Sequence, residues 1–279
     1  MRNVCIILVL FCHQVYGQDV RQPSARQGWI RIGQGVIASD VFFDSNGDRI
    51  PIRTNALFST SVHGEYGLSN RFAVTLFAPV FVRTTVNAIQ FNQSGNEASG
   101  DALNSFGDSE VGVRFKFIAR KSWQAIGFVK LGIPLGKKST VGTDNDLQTG
   151  DGEFNQQIGL QILCPLSNEA FFLSGYCAYN NRSENFSEEI RYGFSVTYYA
   201  SRFRAMARIN SIESLFNETA PVSLNGIFSN HREYISPGLE LQYNITKGIG
   251  IFVSGDFYPT GRNTLAAPEF NAGLQFTLQ

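Results

Sequence analysis

Three features of the sequence predict an all-β chain, a single antiparallel transmembrane β-barrel of about 12 strands. Apolar and polar residues alternate with a period of two through twelve segments. The connections between them are by turns short and long. No run of about 18 apolar residues follows the N-terminal segment, so strands rather than a helix must do the crossing.

The clearest segment is the last. Phe270, Ala272, Leu274, Phe276 and Leu278 alternate with Asn271, Gly273, Gln275, Thr277 and Gln279. In a barrel such an apolar row faces lipid and the polar row faces the lumen. The same parity recurs from Ile235 to Ile245, Ile249 to Phe257, Ile190 to Tyr198, Val111 to Phe117 and Ile158 to Ile162. It is weaker over Ile30 to Ala38, Phe58 to Tyr66, Phe72 to Val82, Ala125 to Ile133, Phe171 to Tyr179 and Phe203 to Ile209. Most of these are about 9–11 residues long, the length a tilted strand needs to cross a bilayer.

Short connections fall at Gly67–Asn70, Ala119–Ser122, Pro165–Glu169, Ala200–Arg202 and Thr246–Gly248. Long ones fall at Ser39–Thr54, Thr85–Phe106, Leu135–Gly152, Asn181–Glu189, Ser211–Glu233 and Thr260–Pro268. Short periplasmic turns opposite long outer loops suit an outer-membrane barrel, and an even strand count puts both mature termini in the periplasm. Aromatic residues near the strand ends suggest two interfacial girdles. Trp29, Tyr66, Phe72, Phe117, Trp123, Phe171, Tyr198, Phe203 and Tyr243 lie by the short turns, and Tyr179, Tyr192, Tyr234, Phe257 and Phe270 by the long loops. A secreted β-sandwich would also alternate, but not with two connection lengths so regularly interleaved.

Residues 1–17 read as a signal peptide, with 18–279 as the barrel domain. Arg2 is the positive n-region, Val4 to Phe11 the apolar stretch, and Val15-Tyr16-Gly17 the cleavage site. Phe11 is too bulky for lipidation at Cys12. The localisation that follows is the outer membrane of a Gram-negative bacterium. Of the four cysteines, Cys164 and Cys177 remain. A hairpin at Pro165–Glu169 sets Cys164 opposite roughly Phe171 and Cys177 opposite roughly Ile158. The sulfurs are then about six residues, or roughly 20 Å, apart. That is too far for a disulfide, so two free thiols on lipid-facing rows are expected.

Three segments carry a resemblance. Residues Ser61-Val62-His63-Gly64-Glu65-Tyr66-Gly67-Leu68-Ser69-Asn70-Arg71-Phe72 make a strand, tight turn and strand. Phe106-Gly107-Asp108-Ser109-Glu110-Val111-Gly112-Val113-Arg114-Phe115 and Leu147-Gln148-Thr149-Gly150-Asp151-Gly152-Glu153-Phe154 lead long loops back into the wall. Together they resemble the outer-membrane barrel family named for the meta pathway of phenol degradation. The resemblance covers most of the mature chain. It implies import of small, often aromatic or apolar compounds, and it supplies no catalytic residues. The glycines beside Asp108 and Asp151 are expected to take positive φ where loop meets strand.

Other chemistries find little footing. The charge balance, 23 basic against 23 acidic residues, argues against a nucleic-acid partner. Asp44-Ser45-Asn46-Gly47-Asp48 has oxygen ligands at alternate positions, as calcium loops do, but Asn55 stands where the bidentate Glu would be. It reads as a solvated loop turn. His63 and His231 lack a neighbouring activated nucleophile. No catalytic site, metal or cofactor is expected, and the chain does not read as an enzyme.

The expected partners are outer-membrane lipid, a small-molecule solute, and the barrel-assembly machinery through Phe270–Gln279. The candidate lumen-facing residues are His63, Glu65, Arg114, Lys116, Lys130, Arg191, Arg204, Arg208, Glu240 and Asp256. They fit either an ion-pair network filling a narrow interior or a wet, basic pore that favours anions. Functionally the choice lies between a channel for small solutes and a closed structural or surface-interaction barrel.

Overall fold

The computed structural model of the protein describes residues 21–90, 97–137, 147–166, 170–220 and 228–279. The expected signal peptide, with Cys5 and Cys12, lies outside the described residues. So do the middles of three long loops and most of the Pro165–Glu169 turn.

Twelve long strands form the wall. They are β1 (Gly28–Phe43), β2 (Arg49–Gly67), β3 (Phe72–Val86), β4 (Ser109–Ala119), β5 (Gln124–Ile133) and β6 (Asn155–Leu166). The second half is β7 (Phe171–Asn181), β8 (Glu189–Ala200), β9 (Phe203–Ser214), β10 (Glu233–Asn244), β11 (Ile249–Asp256) and β12 (Glu269–Leu278). Each pairs antiparallel with its sequence neighbours. β12 closes the ring on β1, from Gly28↔Leu278 to Ile37↔Glu269. The all-β closed barrel expected from the alternation is the fold observed.

Parity decides what each residue meets. Outward positions carry large apolar side chains in the open, among them Leu239, Leu241 and Tyr243 on β10 and Phe270 and Leu274 on β12. Inward positions are buried and largely polar. On the outside, Phe72 stacks on Phe115 at 4.6 Å and Phe171 lies 4.7 Å from Tyr198. These are cross-strand pairs of the kind that fix sheet register.

Two expected girdle members face the other way. Trp29 is 4% exposed, with its ring 4.8 Å from His63 inside the barrel. Tyr234, 5% exposed, is likewise interior. Both lie near strand ends, but each is one residue out of step with the apolar row, and parity overrides position along the strand.

The expected long loop Ser39–Thr54 is mostly strand. A bulge between Ser39 and Val41 absorbs the break in alternation, after which pairing resumes at Val41↔Pro51 and continues to Phe43↔Arg49. The Ser39 hydroxyl donates to the Val41 carbonyl at 2.7 Å. At the tip the Asp44 carboxylate accepts from the amides of Asn46 and Asp48 at 2.8 and 2.9 Å, and Gly47 has φ +86°. The Asp44 carboxylate thus caps a turn. Above the bulge Phe42 is fully buried and clusters with Ile37, Leu265 and Ala267.

The cysteine register differs by two residues from expectation. Pairing in the β6–β7 hairpin runs as far as Leu166↔Phe171, so Cys164 faces Leu173 and Cys177 faces Leu160. The cysteines are four residues apart along the ladder, about 13 Å at the usual rise; neither is in a disulfide, and both lie on outward rows. Alkylation of unreduced protein followed by mass spectrometry should therefore find both modified after unfolding. An intramolecular bridge would mean that this hairpin is out of register.

Candidate functional site

The site is the barrel interior, and it is built by the rule that fixes the outside. A residue directly across the ladder points to the same face. Trp29 pairs with Glu65, and Glu65 with Thr75. Arg31 pairs with His63 and Gln275, and His63 with Phe77. These rows meet in the lumen.

Two hydrogen-bonded networks fill its middle. In the first, Arg114 of β4 donates to both oxygens of Glu65 at 2.6 and 2.7 Å and to Gln161 at 2.6 Å. Gln161 then donates to the Ser174 hydroxyl at 2.8 Å. In the second, Glu240 of β10 receives Arg31 at 3.0 and 3.2 Å, together with Arg204 and Arg208. Arg208 also holds Asp256, and Arg31 donates to Gln275 at 2.7 Å. The Arg31 guanidinium lies 4.7 Å from the Phe252 ring centroid, a cation–π contact. Phe252 can lie there because Gly33 and Gly273 leave room: a β-carbon on either would stand about 3 Å from its ring.

Nearer the long loops, Lys130 pairs with Glu110 at 2.7 Å. Glu189 takes Arg191 at 2.6 Å and Arg182 at 3.0 Å, and Arg182 continues to Asp151 at 3.3 Å. His63 is buried between the rings of Trp29 and Phe77. Lys116 is half-buried on the same interior row as Ile126. Charges in such a wall are tolerated when they face water or one another, and here Arg114, Arg204, Arg208 and Arg191 each lie against a carboxylate.

Sequence reasoning missed Arg31, Glu110 and Glu189. Each interrupts an apolar row by one position, so the parity that marked Arg114 also marks them. Arg182 and Asp151 are loop residues, and no periodicity reaches them.

The long-loop mouth opens into a cavity of about 220 Å³. On one side Ile37, Leu57, Phe77, Pro79 and Val82 of β1–β3 make an apolar wall. The rest of the lining is largely polar or charged, with Glu110, Lys130, Arg191, Tyr234 and Glu269, of which Glu110 lies across the ladder from Phe77 and Glu269 from Ile37. Below it a pocket of about 30 Å³, lined by Arg31, His63, Phe77, Glu240 and Phe252, reaches the second network.

Asp108 fastens the rim of this cavity. Its carboxylate accepts from Gly136 at 2.7 Å and from Gly152 at 3.1 Å, joining both ends of the loop after β5 to the start of β4. Gly152 has φ +73°, the conformation expected for it. Gly107 and Gly150 do not share it. Gly107 is needed for closeness: a β-carbon there would stand 2.8 Å from Pro79 and 2.9 Å from Val82. Gly150 lies against the Asp108 carboxylate itself.

Burial and the neighbouring Asp151 carboxylate raise the Asp108 pKa from 3.8 to about 6. The folded state thus favours the protonated acid. The stability it contributes is complete below pH 3.8 and is lost as pH rises through about 6. Amide exchange at Gly136 and Gly152, corrected for intrinsic rate, should be slower at about pH 4.5 than at about pH 7.5, on either side of the raised pKa. The Asp108→Asn variant should lose that difference, and an unchanged pH dependence in the variant would exclude Asp108 as its source.

The Glu65–Arg114 pair gives a second expectation. Removing one partner of a buried pair leaves an uncompensated charge, at a cost of about 3–5 kcal/mol. Glu65→Leu should lower the urea midpoint clearly, and Glu65→Leu with Arg114→Met should recover much of the loss. Equal loss in both would show that Arg114 is solvated without its partner.

No protein-family model matches the sequence, and no curated protein matches it. Solved structures do share the architecture. An outer-membrane channel from Pseudomonas putida F1 superposes with a TM-score of 0.67 at 11% identity, covering 95% of this chain and 100% of its own. The NanC porin gives 0.55 at 12% identity, over 89% of this chain and 100% of its own. The translocator domain of the autotransporter NalP from Neisseria meningitidis gives 0.54 at 10% identity, over 92% of this chain and 90% of its own. Channel, porin and translocator domain share the barrel, so at these identities the likeness establishes the fold.

Proposed function

We propose that the chain is an outer-membrane channel for small solutes, with short turns and both termini on the periplasmic side of a Gram-negative envelope. One observation carries the reading. A closed barrel presents apolar side chains outward and charged ones inward, and its long-loop mouth opens into a cavity of about 220 Å³. A soluble protein would bury its apolar rows; here they form the outer surface. The channel from Pseudomonas putida F1 and the NanC porin support a transport role.

The solute class is small aromatic or apolar compounds. The resemblance to the phenol meta-pathway barrels supports it, as does the apolar wall of Ile37, Leu57, Phe77, Pro79 and Val82. The paired state of Arg204 and Arg208 favours an ion-pair network over a basic, anion-selective pore as the main role of the lumen charges. Phe270–Gln279, the strand that closes the ring, is the segment we assign to the assembly machinery.

A second reading has its own support. Arg31, Arg114, Arg204 and Glu240 are all under 5% exposed, which suits a closed structural barrel. Purified protein in a planar bilayer separates the two. The channel reading expects discrete conductance steps from the intact chain, after recovery in the outer-membrane fraction and with a gel shift on boiling. A folded, heat-modifiable barrel that never conducts would favour the structural role, and recovery as a soluble periplasmic protein would remove both readings.

A further inference from the structure

The mouth at the short-turn end is crossed by the chain's own N-terminal segment, residues 21–27. One end of this strap is sewn to the β2–β3 turn. Arg26 donates its amide to the Gly67 carbonyl and Gly67 donates to Gln27, both at 2.8 Å. Ala25 donates to the Asn70 side chain at 3.2 Å. The Gln22 side chain, 4% exposed, donates to the Arg71 carbonyl at 2.8 Å. Gly67 is required here, because a β-carbon would run into the backbone of Ser24.

The other end reaches the far wall. The Arg21 guanidinium lies 4.7 Å from the ring centroids of both Phe172 and Tyr199. These rings belong to β7 and β8, which lie four to six strands away from β2 and β3 in a ring of twelve. They stand edge to face at 5.5 Å, and with Leu163 and Met206 they form an apolar cluster inside the wall. Tyr199 lies across the ladder from Arg204, so the cluster adjoins the Glu240 network. The strap adds a second closure to that charged one.

We propose that residues 21–27 are a gate on the short-turn mouth, latched by Arg21 against Phe172 and Tyr199. The sewn end is a hinge held by backbone hydrogen bonds. At the latched end a guanidinium lies on two aromatic faces, contacts of modest strength that can open while the barrel stays intact. The Phe172 cluster beneath it is an apolar constriction, which excludes water and ions until the strap moves.

The test reads the gate in two ways, one of them independent of conduction. Met206→Cys is placed in a chain carrying Cys164→Ser and Cys177→Ser, and its reaction with a charged, membrane-impermeant maleimide is timed. Arg21→Ala in that background should raise the labelling rate about tenfold, the scale of an exposed guanidinium lost from two aromatic faces at once. Arg21→Lys should stay closer to the parent. In a planar bilayer Arg21→Ala, in the otherwise natural chain, should raise the open fraction by a similar factor. Labelling and open fraction within about twofold of the parent would overturn the gate, even if the parent conducts and the channel reading stands. Faster labelling with no conductance in any variant would keep the gate and overturn the channel. Tyr199→Leu, which keeps bulk without the aromatic face, should reproduce the Arg21→Ala labelling if it folds; should it not fold, the two Arg21 variants decide.

Discussion

In the hydrocarbon of a membrane, a peptide N–H or C=O has no water to turn to, and leaving it unpaired costs several kcal/mol. That constraint organises everything else in this chain. Strands are admissible only if each has two partners, so β1 must meet β12, from Gly28↔Leu278 to Ile37↔Glu269. Once the ring is shut, side chains have two destinations, lipid and lumen, and sequence parity assigns them. The ion pairs, the inward Trp29 and the outward cysteines follow from that closure.

The interior answers a second problem created by the first. A ring of twelve strands encloses a space that side chains can nearly span, and the chain fills it with long polar side chains. Arginine is well suited to such filling, because its planar fork reaches two carboxylate oxygens and offers a face to an aromatic ring at once. Arg31 does both, bonding Glu240 while lying over Phe252. Such a filling differs from a hydrocarbon core in one respect. Each bond can be exchanged for one to water, so it can rearrange where an apolar core could not.

Much of this architecture is legible in the sequence alone. Period-two alternation locates all twelve strands and the outward placement of the cysteines, because a lipid-facing row leaves a strong signal. It also marks Arg114, Arg204 and Glu240 as interior by parity. What escapes is of three kinds. The bulge at Ser39–Val41 hides the upper part of the first hairpin, since an inserted residue breaks the period without ending the pairing. Nearness to a strand end misleads for Trp29 and Tyr234, where parity alone is the better guide. Loop contacts such as Arg182 on Glu189 and Asp108 on Gly152 depend on backbone paths that carry no periodicity.

The first hairpin has a further meaning. β1 has 16 residues and β2 has 19, against the roughly 9–11 that a tilted strand uses in the bilayer. The surplus continues as paired ladder to a tip at Gly47, its base packed on Leu265 and Ala267. A ladder holds its shape where a loop of equal length would wander. The protein thus carries a stiff mast on its long-loop side, with residues 44–48 at the top. Anything that binds there, whether antibody, phage or engineered epitope, would be held at a fixed height and bearing relative to the mouth, and would stand clear of the lipid around it.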